Sequence, residues 1–155
     1  MPRYSNPVII TKDNFFEHFN NHCYRGRLSV SNLANKYIGG LIIHYLPENY
    51  DFISIVKCNV IEVDLSSCNI ENITSISFSH NPLTKLVFNI APRQLSVSHT
   101  LLTEIDGVFH DDYRILFVGT NLYGSDGTNT SRFMVSGRRL NNLRVKDKLM
   151  KFLSN

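Results

Sequence analysis

The chain has 155 residues, 43% of them hydrophobic, a size at which a single domain buries roughly 70% of its unfolded surface. Sixteen basic against thirteen acidic residues leave a net charge of +3, too mild to single out nucleic acid as a partner. The charge is uneven: from Thr130 onward seven basic residues stand against Asp147 alone, +6, so the preceding part carries −3.

Cys23, Cys58 and Cys68 form no CxxC pair and no metal-finger spacing, and three cysteines cannot all pair within one chain, which points to a reducing compartment. The first residues lack the charged start and apolar run of a signal peptide, and no apolar stretch approaches about 18 residues. A cytoplasmic or otherwise intracellular location without a membrane span is therefore expected. Asn72-Ile73-Thr74 and Asn129-Thr130-Ser131 match the N-glycosylation triplet, a pattern that arises often by chance.

In chain order, Thr11 or Asp13 can cap a helix whose apolar positions Phe15, Phe16 and Phe19 recur at helical spacing to about His22. A second short helix is expected after Ser29 or Ser31, ending near Gly39 and Gly40. Together they make a helical cap over residues 1–40, and Leu41–Ile43 reads as an entry strand to the rest of the domain.

Residues 41–125 repeat. Ile53-Ser-Ile55-Val-Lys-Cys58-Asn-Val60 aligns with Ile76-Ser-Phe78-Ser-His-Asn81-Pro-Leu83 and with Leu95-Ser-Val97-Ser-His-Thr100-Leu-Leu102; Ile115-Leu-Phe117-Val-Gly-Thr120-Asn-Leu122 is a truncated fourth copy. The starts are 23, 19 and 20 residues apart, near the period of about 20–29 residues of leucine-rich repeats. The shared apolar, apolar, Cys/Asn/Thr and apolar positions resemble the core motif of that family. Alternate residues such as Ile53 and Ile55 then point inward, and Cys58, Asn81 and Thr100 hold the place of a buried residue that satisfies backbone groups at the turn. Val63-Asp-Leu65-Ser-Ser-Cys68 also fits the motif, but lies too close to its neighbours for a separate coil. Leu86-Val-Phe88 takes the same place in the next repeat, so Val63 is read as the outer segment of the first coil. Short coils with extended outer segments resemble the compact leucine-rich repeats of bacterial effectors, without their regular proline pair.

After the repeats, residues 126–155 are read as a loop followed by a basic amphipathic helix from Arg138, with Leu140, Leu143, Met150 and Leu153 on its apolar side. The expected fold is one α+β domain: a short leucine-rich-repeat solenoid with parallel strands, an N-terminal helical cap and a basic C-terminal helix.

His80 and His99 share a repeat position and would lie one above the other. Two imidazoles could grip a metal, but Lys57 and Gly119 occupy the neighbouring copies and offer no third ligand, so no metal and no cofactor is expected. Ser79-His80 and Ser98-His99 are sequence neighbours whose side chains diverge on a strand. No G-x-S-x-G, H-E-x-x-H, P-loop or G-x-G-x-x-G motif occurs, and Asp111-Asp112 reads as a solvated loop pair, so no catalytic residue is assigned.

The resemblance implies that the strand face opposite the core is concave and docks a protein partner. Ser77, Ser79, His80, Ser96, Ser98 and His99 are the candidate partner-binding residues, and protein–protein recognition is the expected function. A structural subunit of a larger assembly, such as a minor capsid or cement-type component of a virion, is the first alternative, suggested by a short chain rich in Asn and Ile. The second is binding of nucleic acid or an anionic surface by the basic tail, Arg138, Arg139, Arg144, Lys146, Lys148 and Lys151. Phe133 and Phe152 are too far apart to form a stacking platform there.

Overall fold

A computed structural model describes residues 6–102, 104–108, 113–116 and 134–137. The chain winds as a β-solenoid whose strands, numbered in chain order, alternate between two sheets. The five-stranded sheet holds β1 (Val8–Ile10), β4 (Leu41–Ile43), β6 (Val60–Leu65), β8 (Lys85–Ile90) and β10 (Glu104–Val108). The seven-stranded sheet runs, from one edge to the other, through β2 (Cys23–Tyr24), β3 (Arg27–Ser31), β5 (Phe52–Val56), β7 (Ser75–Ser77), β9 (Gln94–Ser96), β11 (Tyr113–Leu116) and β12 (Met134–Gly137). Neighbours are parallel except β2 with β3 and β11 with β12, the antiparallel pairs at its two ends.

The repeats fall into register as aligned from sequence: Ile53, Ile76, Leu95 and Ile115 occupy one ladder of the seven-stranded sheet. Val63 pairs with Leu86 in the other sheet, which makes the Val63 segment the return strand of the Ile53 coil. Leu41–Ile43 is a strand, paired to β1 on one side and β6 on the other.

The helical cap needs correction. Arg27–Ser31, expected to lie at the start of a helix, is a strand in full parallel register with Phe52–Val56, so the coils begin with Leu28, 25 residues before Ile53. Ser29 and Ser31 are outward strand residues, not caps. The strand is set by a two-residue turn at Arg25 and Gly26, both at positive φ (50° and 74°), the geometry whose twist suits a tight hairpin. From Leu33 to Gly40 the chain makes turns rather than a helix, closed by the amides of Tyr37 to Leu33 O and of Gly40 to Tyr37 O.

The first helix exists but is short, Phe15–Phe19, continued by a 3-10 turn at Asn20–His22. Asn14, not Thr11 or Asp13, stands at its N-terminus, and its side chain works on β1 instead. Its Oδ1 accepts the Thr11 amide at 2.7 Å, while its Nδ2 donates to the Ile9 carbonyl at 2.8 Å. Phe15 and Phe19 are buried and Phe16 is exposed. The domain is mostly β, with one α-helix among the described residues. The basic helix expected from Arg138 lies outside the described residues, as does most of the 126–155 segment.

The core fills the space between the sheets. Leu28, Ile53, Ile76 and Leu95 stack from one side beside Val30, Ile55, Phe78 and Val97, and Ile43, Val63, Leu86 and Ile105 meet them from the other; all are buried. Each coil buries several apolar side chains that a single isolated coil would leave wet, so the stack is stabilised as a unit, at roughly 1.5–3 kcal/mol per buried side chain before entropy is counted.

Candidate interaction face

The residues flanking the inward columns face away from the core and form further columns on the seven-stranded sheet. Register places Ser29, Ser54, Ser77 and Ser96 in one, and Ser31 with Val56 at the start of the next. The backbone continues the ladder past β7 and β9, with the amides of Phe78 and His80 donating to the carbonyls of Ser96 and Ser98, both at 2.9 Å. Ser79 and Ser98 thereby extend the second column.

The residue at the same turn position of each coil adopts a left-handed conformation: Asn32, Lys57, His80 and His99, with φ between 54° and 62°, and in the Ile53 coil Asn59 does so too, at 61°. Asn and His tolerate this region better than most side chains, and lysine less well. The conformation projects the side chain outward at the corner, and it brings the His80 and His99 rings into a stack, centroids 4.6 Å apart and planes 20° from parallel. Both histidines are exposed.

The next position turns back inward, and here the expected structural column appears. The amides of Cys58 and Val60 donate to Asn81 Oδ1 at 2.9 and 3.1 Å, and Asn81 Nδ2 donates to the carbonyls of Ile55 and Phe78 at 2.8 and 2.9 Å. Thr100 Oγ1 donates to Val97 O at 2.8 Å, and Cys58 Sγ to Val56 O at 3.1 Å. Burial pushes the Cys58 thiol up, offset in part by backbone groups of Leu33 and Val56, so this cysteine is a neutral, structural residue. All three cysteines are free thiols.

The serines are linked among themselves. Ser77 Oγ donates to Ser79 Oγ at 3.3 Å, and the Ser79 and Ser96 hydroxyls lie 2.7 Å apart across two coils. Ser98, only 7% exposed, has a hydroxyl without a hydrogen-bond partner among the described residues. Ser79 reaches the serine of the following coil, Ser96, whereas the residue in register with Ser96 on its other side is Leu116, which carries no hydroxyl.

The structure thus brings all six candidate partner-binding residues to one side and one corner of the sheet, with His80 and His99 exposed, Ser77 and Ser96 half-buried, and Ser79 and Ser98 buried. The six basic tail residues lie outside the described residues. Sequence reasoning missed Arg27 and Phe52, which head the same face: the Arg27 guanidinium sits over the Phe52 ring, 5.1 Å from its centroid. Their signal was the coil at Leu28, hidden because its turn position carries Leu33 instead of Cys, Asn or Thr.

Among the described residues no group of three or more His, Cys, Asp or Glu could hold a metal ion, and no helix is long and apolar enough to cross a membrane. An open cleft of about 320 Å³ elsewhere on the surface is lined by Lys12, His44, Tyr45, Glu48, Ser67 and Cys68; the Cys68 thiol there donates to the His44 carbonyl at 3.3 Å. Comparison with protein families, with curated proteins and with solved structures finds no match to this chain.

Proposed function

We propose that this protein is a non-enzymatic recognition module that binds another protein through the outer face of its seven-stranded sheet. The observation that carries the proposal is the face itself. It is a row of half-buried serines, Ser77 and Ser96, hydrogen-bonded to the buried Ser79, with the buried Ser98 in the same column as Ser79, bordered by an exposed pair of stacked imidazoles, His80 and His99. Such side chains lose little rotamer freedom on contact, and a strand ladder holds them in place before a partner arrives, so the entropic cost of docking is low. Recognition suits a leucine-rich-repeat-like solenoid, and the buried Asn81 hub is the kind of turn residue that resemblance leads one to expect.

The test is affinity capture from native lysate with the intact chain and with His80→Ala/His99→Ala. The double variant removes two exposed rings and no core contact, so it should melt within a few degrees of the parent and retain at most about a tenth of the partner, the loss of one hot-spot cluster. Undiminished capture by a folded double variant would end the assignment of this face.

A further inference from the structure

The recognition face has a charge character of its own. Among the described residues, the outward positions of β3, β5, β7 and β9 and the corner that follows them hold Arg27, Lys57, His80 and His99 and no carboxylate. The opposite sheet is the reverse: its outward, half-buried positions include Glu62, Asp64 and Asp106, with Lys85 held 3.9 Å from Glu62. The acid nearest to Phe52 along the chain, Asp51, sits one residue earlier, where its amide donates to Gly26 O and its carbonyl accepts the Thr74 amide.

The cations stand at the two margins and the serines between them. Arg27 and Lys57 are separated by about five positions along the strand direction, roughly 17 Å, which an extended segment of about six residues spans. The Arg27 guanidinium carbon lies 5.1 Å from the Phe52 ring centroid, a contact that keeps this cation at the margin of the face, where its donors can meet a carboxylate.

We infer that the partner presents an acidic, extended protein segment, whose carboxylates meet Arg27 at one margin and Lys57 with the His80–His99 pair at the other. This deepens the recognition reading above and rests on it. A protein segment is favoured over nucleic acid because, among the described residues, the face carries only two fixed cations, Arg27 and Lys57, one at each margin, too sparse to follow a phosphate backbone.

The experiment is fluorescence anisotropy with the full chain and two probes of equal charge, a glutamate-rich peptide and a single-stranded oligothymidine. Expected are peptide binding that weakens as salt rises, a loss of at least tenfold in Arg27→Glu/Lys57→Glu, and little change in Lys85→Glu on the opposite sheet. Arg27→Gln/Lys57→Gln serves if charge reversal impairs folding, and should still lose severalfold. No peptide binding, undiminished binding by both margin variants, or tighter binding of the oligonucleotide would each overturn the inference. So would salt-sensitive self-association of the chain without peptide, which would make a second copy the occupant. A captured partner that depends on His80 and His99 but not on Arg27 and Lys57 would remove the acidic segment and leave the recognition face standing.

Discussion

Asn81 shows how much of a solenoid hangs on single polar side chains. It serves two amides of the coil before it and carbonyls of both coils, all buried. Asn81→Ala leaves several of these groups without partners and should cost about 3 kcal/mol or more, read by urea denaturation. Serines that look alike on the same face should behave differently. Ser79→Ala removes a 2.7 Å hydrogen bond to Ser96 and should cost about 1 kcal/mol, while Ser98→Ala deletes a buried hydroxyl that bonds nothing and should stay within about 0.5 kcal/mol of the parent or gain stability. Equal losses at the two serines would contradict this difference in hydrogen bonding.

At the scale of elements, the ends and bulges of the sheets are where specificity of folding resides. β1 is an edge strand, and Asn14 covers its outward Ile9 carbonyl; edges left open invite pairing with another chain. Asn14→Ala should therefore raise concentration-dependent association in sedimentation velocity while changing the core little. In β10 the register slips between Asp106 and Val108, at Gly107 with φ 150°. A Cβ there would stand 2.9 Å from both Cβ and O of Phe88, so Gly107→Ala should destabilise by about 1–3 kcal/mol in the same urea assay. The coils from Ile53 onward were legible in the sequence because inward residues and the Cys/Asn/Thr position recur together, and tertiary stacking preserves both. The coil at Leu28 was not. A serine before an apolar residue suits a helix cap as well as an outward strand position, and Arg25-Gly26 is a weaker hairpin signal than Asn-Gly. That Ser77, Ser79, His80, Ser96, Ser98 and His99 share one side and one corner of the sheet was readable from repeat position; the burial of Ser79 and Ser98, the stacking of the imidazoles and the cation at Arg27 needed the structure.

For the whole molecule, burial has a consequence in alkali. It pushes the hydroxyls of Tyr37 and Tyr45 and the Cys58 thiol upward, and takes Tyr50 to about 12, with a hydrogen bond to Cys23 adding to the rise. Groups raised on folding stabilise the fold fully below their unfolded values, and that contribution is lost as pH rises through the folded ones. Melting temperature should thus fall from about pH 9 toward about pH 12, and fall less steeply in Tyr50→Phe, which cannot ionise there. A parent and variant with parallel alkaline profiles would show that Tyr50 ionises alike in both states. Truncation experiments belong to this scale too. β12 closes the seven-stranded sheet against β11, so removal of the basic tail should be made after Gly137 to keep the last antiparallel pair.

If one sheet of the solenoid meets the partner and the other does not, crosslinking from each sheet in turn will tell them apart. A photoreactive amino acid is placed at Ser77 or, in a second chain, at Val87, its counterpart on the outer side of the five-stranded sheet; irradiation in native lysate is followed by mass spectrometry of the adducts. Expected is a discrete adduct from Ser77 that is lost in the His80→Ala/His99→Ala background, and none from Val87. An adduct from Val87 with Ser77 silent would put recognition on the opposite sheet and contradict the assignment of the serine face.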